Sequence, residues 1–462
     1  MIRGAGICAA ALALSACAAM ESKPKPAAAI RFNEDPYPST YERYPGAVTV
    51  IRHATVFDGD GRRIDNGTVV FGDGVITAIG GPELVSPAGA VEIDGTGKWV
   101  TPGVIDVHSH LGDYPSPGVA ALSDGNEATS PARPEVWAEH SVWPQDPGFS
   151  RALMNGGITT LQILPGSANL FGGRSVVLKN VPARTAQGMK FPGAPYGLKM
   201  ACGENPKRLH AQTGPSTRMG NMAGYRSAFA NAERYRRDWD RWLARPDSTP
   251  PGRDLELETL AEVLRGHILV QVHCYRADEM AQMLDLAREF GFRIRAFHHA
   301  VEAYKIADLL AAADVASSVW FDWWGIKMEA LDGIPENAAL LQRAGARVII
   351  HSDSEQTIQR LNQEAGRAMY AGINAGLPVT REQAIRWITI NPAWALGIDG
   401  VTGSLEPGKS ADVVLWSGDP FSVYTKAERV YNEGRLVFDR NDPAHQLQTD
   451  FNLGITAPGI DP

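Results

Sequence analysis

The stretch "VTPGVIDVHSHLGDY" (Val100–Tyr114) sets two histidines, His108 and His110, one residue apart at the end of an apolar run. Val104, Ile105 and Val107 read as a buried strand, in which side chains alternate faces, so both imidazoles point the same way. Two rings side by side lose hydration with no return unless something occupies the space between their nitrogens. A divalent metal does so economically. Further along stand other residues of metal-binding type: Lys199 or Glu204, then His273, then His298 or His299, then Asp353. Together they predict a metal site, where a bound cation lowers the pKa of water and supports hydrolysis.

These residues need a frame that brings them to one place. Strands are expected near Val104–His110, Thr159–Leu164, Ser175–Lys179, Gly197–Cys202, Ile268–Cys274, Arg293–His299, Val315–Trp320 and Arg347–Asp353. Helical patterns such as "ADEMAQMLDLAREFG" and "AYKIADLLAAAD" separate the later ones. Eight strands in this rhythm fit an α/β fold, a (β/α)8 TIM-like barrel, whose chemistry sits at the C-terminal strand ends. Five of the eight ends carry the residues named above.

The text outside the barrel is of another kind. From Val48 to Val100 it is short and strand-like, punctuated by Asp60-Gly61, Asn66-Gly67 and Asp73-Gly74, and similar writing returns in "GSLEPGKSADVVLWSGDP" and "AERVYNEGRLVFD". One small β-sandwich built from both chain ends is expected, over 46–100 plus 401–440, around a barrel at 101–400 and before a tail at 441–462. The insertion "YRSAFANAERYRRDWDRWLAR" reads as a charged helix packed as a lid or as a homo-oligomer contact.

The first residues, "MIRGAGICAAALALSACAAM", have an early arginine, an apolar run and then small residues, as an export signal does. "LSAC" resembles a bacterial lipobox. Residues 1–17 are therefore read as a lipoprotein signal ending in a lipidated Cys17, and 18–45 as a flexible tether. Ala18 after that cysteine leans towards the outer membrane, giving a periplasmic protein that meets the membrane only through its lipid. Of four cysteines, Cys202 and Cys274 then remain, and two buried thiols are expected. The net charge of -8 argues against a nucleic-acid partner.

The motifs "TPGVIDVHSH", "LKMACGENPKR", "VQVHCYRADEM", "FHHAVEAYKIAD", "IIHSDSE", "INPAWALGI" and "GSLEPGKSADVVLW" resemble those of the amidohydrolase superfamily, within its imidazolonepropionase-like group. The resemblance runs from about Val48 to Asp439. It implies that His108 and His110 bind a buried metal with Asp353, and that His273 and His299 bind a second, more exposed one. Two divalent ions, zinc the expected metal, would be joined by a bridging group on the fourth strand. Lys199 matches the position of a carboxylated lysine in many relatives, whereas Glu204 could bridge with its own carboxylate. Their parities differ, so at most one of the two should face the site if the strand stays regular. Glu204, nearer the rim and needing no CO2 adduct, is favoured. Of His298 and His299, neighbours on opposite faces of a strand, His299 is the expected ligand, and His351 is either a partner of the ligands or a structural histidine.

The implied chemistry is attack of metal-bound hydroxide on the amide carbonyl of a small molecule, with Asp353 as general base and then acid. A one-metal deaminase of the same superfamily carries a glutamate three residues after the strand-five histidine; here Arg276 stands there, and is read as a holder of a substrate carboxylate or as a helix-start ion pair. "VWFDWWGIKMEALDG" places Trp320, Trp323 and Trp324 at the rim, as an aromatic platform for substrate, Trp323 and Trp324 above all, or as packing. A lactone or ester hydrolase remains an alternative activity. An inactive binding protein would not be expected to keep every ligand position filled.

Overall fold

The computed structural model describes residues 35–246 and 249–446. The expected signal segment, Cys17 and most of the C-terminal tail lie outside the described residues. Strands β1 (Thr49–Phe57), β2 (Arg63–Gly72), β3 (Val75–Gly80), β4 (Val91–Asp94) and β5 (Trp99–Pro102) come first. The barrel follows as β6 (Val104–Ser109), β7 (Ile158–Ile163), β8 (Phe171–Lys179), β9 (Gly197–Ala201), β10 (Leu269–His273), β11 (Ile294–His298), β12 (Ala316–Val319) and β13 (Arg347–Ile350). The chain then returns to the first sheet as β14 (Val413–Trp416), β15 (Ala427–Asn432) and β16 (Arg435–Asp439).

The first sheet is one continuous ladder in the order β16-β15-β14-β5-β1-β2-β3, with β4 also on β1. Strand β1 bifurcates, pairing β4 from Thr49 to Arg52 and β5 from Thr55 to Val56. Phe71 on β2 and Tyr431 on β15 are far apart along the ladder, yet their rings meet edge to face at 4.9 Å. The ladder is thus folded over its own core of Ile51, Val69, Val100, Val413 and Leu415, as a two-ended sandwich requires. Asp73-Gly74 makes the hairpin turn between β2 and β3, Asp73 at φ 51° and Gly74 at φ 85°. Asn66-Gly67, by contrast, lies inside β2, where the register against β1 slips, and forms a bulge instead of a turn.

The second sheet runs β6 to β13 in sequence order as a nearly closed eight-stranded barrel. Its strands are buried on both faces, as helix-covered strands must be. One of them departs from the (β/α)8 expectation. Strand β8 pairs antiparallel with both β7 and β9, because it returns directly from β7 over the short loop 164–170, without the crossover a parallel neighbour needs. The charged insertion is the helix Arg218–Ala244, and it is packed: Tyr225, Phe229 and Trp239 are buried, and Phe229 stacks on Phe292 at 4.6 Å.

The described part of the expected tether is docked as well. Lys190 reaches Asp35 at 2.7 Å, Ser39 Oγ donates to Lys190 O at 2.6 Å, and Tyr41 OH donates to Glu433 at 2.6 Å. That segment's aromatic and acidic side chains supply these contacts. Cys202 and Cys274 form a disulfide, not two free thiols. Strands β9 and β10 are hydrogen-bonded neighbours with Ala201 opposite His273, so the next residue of each meets the other at a Cα separation of 5.2 Å.

Candidate metal centre

At the C-terminal mouth of the barrel the histidines converge. His108 Nε2 lies 3.4 Å and His110 Nε2 3.2 Å from the same oxygen, Asp353 Oδ1. The period-two reading of the HxH pair therefore holds even though β6 ends between the two residues. His299 Nε2 stands 3.8 Å from Asp353 Oδ2, and the His273 ring is 4.8 Å from the His299 ring. Both members of the His298–His299 pair join the cluster. Strand β11 ends at His298, and His299 takes a left-handed φ of 57°, which turns the chain and defeats the alternation of faces. Asp353 is held at φ 53°. Left-handed non-glycine residues cost about 1–3 kcal/mol each and persist where surrounding structure fixes them, often at functional sites.

A layer of fixed partners lies beneath. His108 Nδ1 meets His298 Nδ1 at 2.9 Å, and His298 Nε2 meets Gln271 Oε1 at 2.8 Å. His351 Nε2 meets His299 Nδ1 at 2.7 Å, while its other nitrogen faces Val319 O at 3.1 Å. Asp106 accepts from the backbone N–H groups of His108 at 3.1 Å and Ser352 at 3.2 Å, and from the Ser352 hydroxyl. Asp106 thus ties the first strand of the barrel to the turn carrying Asp353. Sequence reading passed over Asp106 and Gln271, although each stands two residues before a histidine (His108, His273) and so shares its face.

Burial sets the protonation states. It holds His108, His273, His298 and His299 well below the usual imidazole range, and pushes His351 down to about 4. Neutral imidazole is the metal-binding form. Burial also lowers Lys199 to about 7, against the opposing pull of Asp353. Asp106 is raised to about 7, first by burial, with the hydrogen bonds from Ser352 and His108 working the other way.

The residues fit a divalent metal. His108, His110 and Asp353 offer three ligand atoms within 4.8 Å of one another, and so do His108, His299 and His351. His110 Nδ1 and His273 Nδ1 are buried without a hydrogen-bond partner, a costly state for a closed polar cluster with nothing to hold. Of the two bridging candidates, the barrel places Lys199 among the imidazoles. It is 1% exposed and sits opposite Gln271 on the inner face of β9. Glu204 lies beyond the strand, its backbone N–H donating to Glu329 Oε2 at 3.0 Å. Gly203, at φ 83°, turns the chain out of β9 into the short helix Glu204–Leu209, and a Cβ on it would meet Glu329 Oε2 at 2.6 Å.

The expected substrate contacts also shift. Arg276 donates from Nε and Nη2 to Asp278 in a two-pronged ion pair, both bonds 2.9 Å, at the start of the helix Ala277–Phe290. The aromatic ring that touches the cluster is Trp320, stacked on His299 at 4.2 Å and on His351 at 5.1 Å. Trp323 stacks behind it at 4.7 Å, one ring removed, and Trp324 is 47% exposed. Tyr275 completes the wall, 4.7 Å from the His273 ring, its hydroxyl pushed up by burial.

Comparison with known proteins agrees with this geometry. The model of the Amidohydrolase family matches residues 299–438, from the second histidine of the His298–His299 pair to the last sheet strand. The amidohydrolase tasK of Hapsidospora irregularis is 33% identical over 398 residues, 81% of this chain but only 40% of that protein, so the chain spans less than half of that relative. An imidazolonepropionase of Sphingopyxis alaskensis is 25% identical over 87% of this chain and 96% of its own length. A crystal structure of an amidohydrolase from Thermotoga maritima MSB8 superposes with a TM-score of 0.78 at 35% identity, covering 85% of this chain and all of that one. With the barrel, the two-ended sheet and the histidine–aspartate cluster, these likenesses place the chain in the amidohydrolase superfamily.

Proposed function

We propose that this protein is an exported, two-metal amidohydrolase that cleaves the C–N bond of a small amide by attack of water. The observation that carries it is the convergence of His108 and His110 on one oxygen of Asp353 inside a buried set of neutral imidazoles. His108, His110 and Asp353 would hold one divalent ion and His273 and His299 a second. Lys199, whose burial favours the neutral amine able to add CO2, would join them as a carbamate. Bound there, the ions would polarise the carbonyl and acidify water. Asp353 takes the proton of the attacking water and delivers it to the departing amine nitrogen, so that one residue serves as base and then acid. Gln271 and His351 fix the ring orientations of His298 and His299 from behind. Trp320 closes one side of the cluster against solvent.

Export is supported by the Cys202–Cys274 disulfide, a bond that persists in oxidising compartments. Anchoring rests on the lipobox at Cys17, and Cys17→Ser should release the protein from membranes or stop its processing; membrane retention after normal cleavage would remove the anchor.

The test of the activity is a panel of N-acyl amino acids, dipeptides and lactones assayed with and without chelator. The purified protein should hold about two zinc ions per chain, and amide turnover should vanish with them. Lys199→Ala should lower metal content and activity more than Glu204→Gln. A metal-replete protein that turns over no member of the panel would overturn the proposal.

A further inference from the structure

Resting on that reading of the site, the surroundings of one lysine narrow the substrate class. Lys327 lies in the loop after β12, half-buried, its ammonium 4.4 Å above the Tyr275 ring. It donates to Asn205 Oδ1 at 3.1 Å, and the Asn205 amide nitrogen stands 3.4 Å from His273 Nε2. A single side-chain amide therefore separates this cation from a residue of the cluster. An ammonium has three donors and no acceptor, and this one uses a single donor within the protein. Among the described residues no carboxylate lies within ion-pair distance of it. Glu204, Glu329 and Asp353 feel its charge from further off, and Glu329 is already bound to Arg218, which also holds Glu279. Burial, the largest influence, lowers Lys327 from the usual lysine range, opposed by those same carboxylates.

The contrast with Arg276 is direct. Arg276 has its own carboxylate and is spent; Lys327 is partly dehydrated, sits over an aromatic face of the site's wall, and lacks one. A half-buried cation of this kind gains most from an anion that arrives from outside. Trp320 and Trp323 supply an apolar wall on the His299 side, suited to the acyl part of such a molecule.

We infer that Lys327 is the specificity-determining contact for a substrate carboxylate, and that the substrates are amides carrying a free carboxylate close to the scissile bond, as N-acyl amino acids do. The carboxylate accepts from the two unused donors of Lys327 while the amide carbonyl faces the histidine–aspartate cluster.

The probes are N-benzoylglycine and its neutral amide, N-benzoylglycinamide, titrated into the metal-loaded full chain and followed by tryptophan fluorescence, with kcat and KM measured wherever turnover occurs. Wild type should bind the carboxylate about ten- to a hundredfold more tightly than the amide, the range for a hydrogen-bonded charge. Lys327→Met should erase that preference through KM with kcat nearly unchanged, and Lys327→Arg should restore most of it. Equal binding of the two probes by wild type, or a preference that survives in Lys327→Met, overturns the inference. A lost preference in a variant whose unfolding midpoint has collapsed would be read from Lys327→Arg instead. Because the readout is binding, it separates this inference from the hydrolytic one. A carboxylate preference without any amide turnover would sink the proposed reaction alone, and amide turnover without the preference would sink Lys327 alone.

Discussion

The two walls of the site are built differently. The wall made by β9 and β10 is regular: Lys199 pairs with Gln271 and Ala201 with His273 in unbroken parallel register, and the Cys202–Cys274 disulfide fastens the two ends just past the ladder. The wall made by β11 and β13 is irregular. Its strands stop at His298 and Ile350, and the chain then carries His299 and Asp353 in left-handed conformations. The first wall supplies fixed points on a rigid lattice. The second gathers four chemically active side chains, His298, His299, His351 and Asp353, into a space that an alternating strand could not serve with all of them. Strain is placed where groups must crowd, and covalent stiffness where they need only stay put.

The largest effect should come from breaking the irregular wall at its chemical point. Asp353→Asn preserves size and one weak oxygen ligand, so fold and much of the metal should survive. It removes the oxygen proposed to accept and return the proton. General acid–base contributions are typically of order 10²–10⁴ in rate, so kcat should fall at least about 10²-fold. A metal-replete variant working within a few-fold of wild type would show that the turn after β13 is not the proton carrier's place.

The regular wall should fail in stability before it fails in chemistry. The disulfide closes a sequence separation of 72 residues, and removing a native disulfide typically costs ~2–4 kcal/mol. A Cys202→Ala, Cys274→Ala double variant should therefore denature at lower denaturant concentration. Its kcat should stay within a few-fold of wild type, since backbone hydrogen bonds still hold Lys199 and His273 in register. Unchanged denaturation would mean that the bond fastens nothing, and a 10²-fold loss of activity would mean that this wall is no stiffer than the other.

The same contrast explains what the sequence could and could not disclose. The period-two rule works where strands are regular, so the HxH pair and the eight barrel strands were legible from residue types and apolar runs. It fails where a single φ changes sign. His298 and His299 were read as alternatives because nothing in "FHHA" announces that His299 sits at φ 57°. Glu204 was favoured over Lys199 for its nearness to the rim and its ready carboxylate, and nothing in the text announces the turn that Gly203 makes at φ 83°. The antiparallel course of β8 was hidden as well, since strand text has no direction; only the short 164–170 connection could have hinted at it. Trp320, Trp323 and Trp324 were read together at the rim, because a run of aromatics shows that a wall exists, not which ring stands against the histidines.

The smallest effect belongs to Arg276, just beyond the regular wall, and it sharpens the comparison by its smallness. Its guanidinium is 40% exposed and bound to Asp278, and exposed ion pairs of this kind contribute roughly 0–1 kcal/mol. It also stands at the start of the helix Ala277–Phe290, where the helix dipole disfavours a cation, so removing it relieves a small cost while losing the pair. Arg276→Ala should shift stability by less than about 1 kcal/mol and leave KM for a carboxylate-bearing amide within a few-fold of wild type. The comparison with Lys327→Met, made on the same substrate and in the same buffer, is decisive because both variants delete one positive charge near the rim. General electrostatic steering would make the two respond alike and would fade with added salt. A built contact makes one respond and not the other. A tenfold rise in KM for Arg276→Ala would return the substrate carboxylate to the β10 side of the barrel and take it away from the loop after β12.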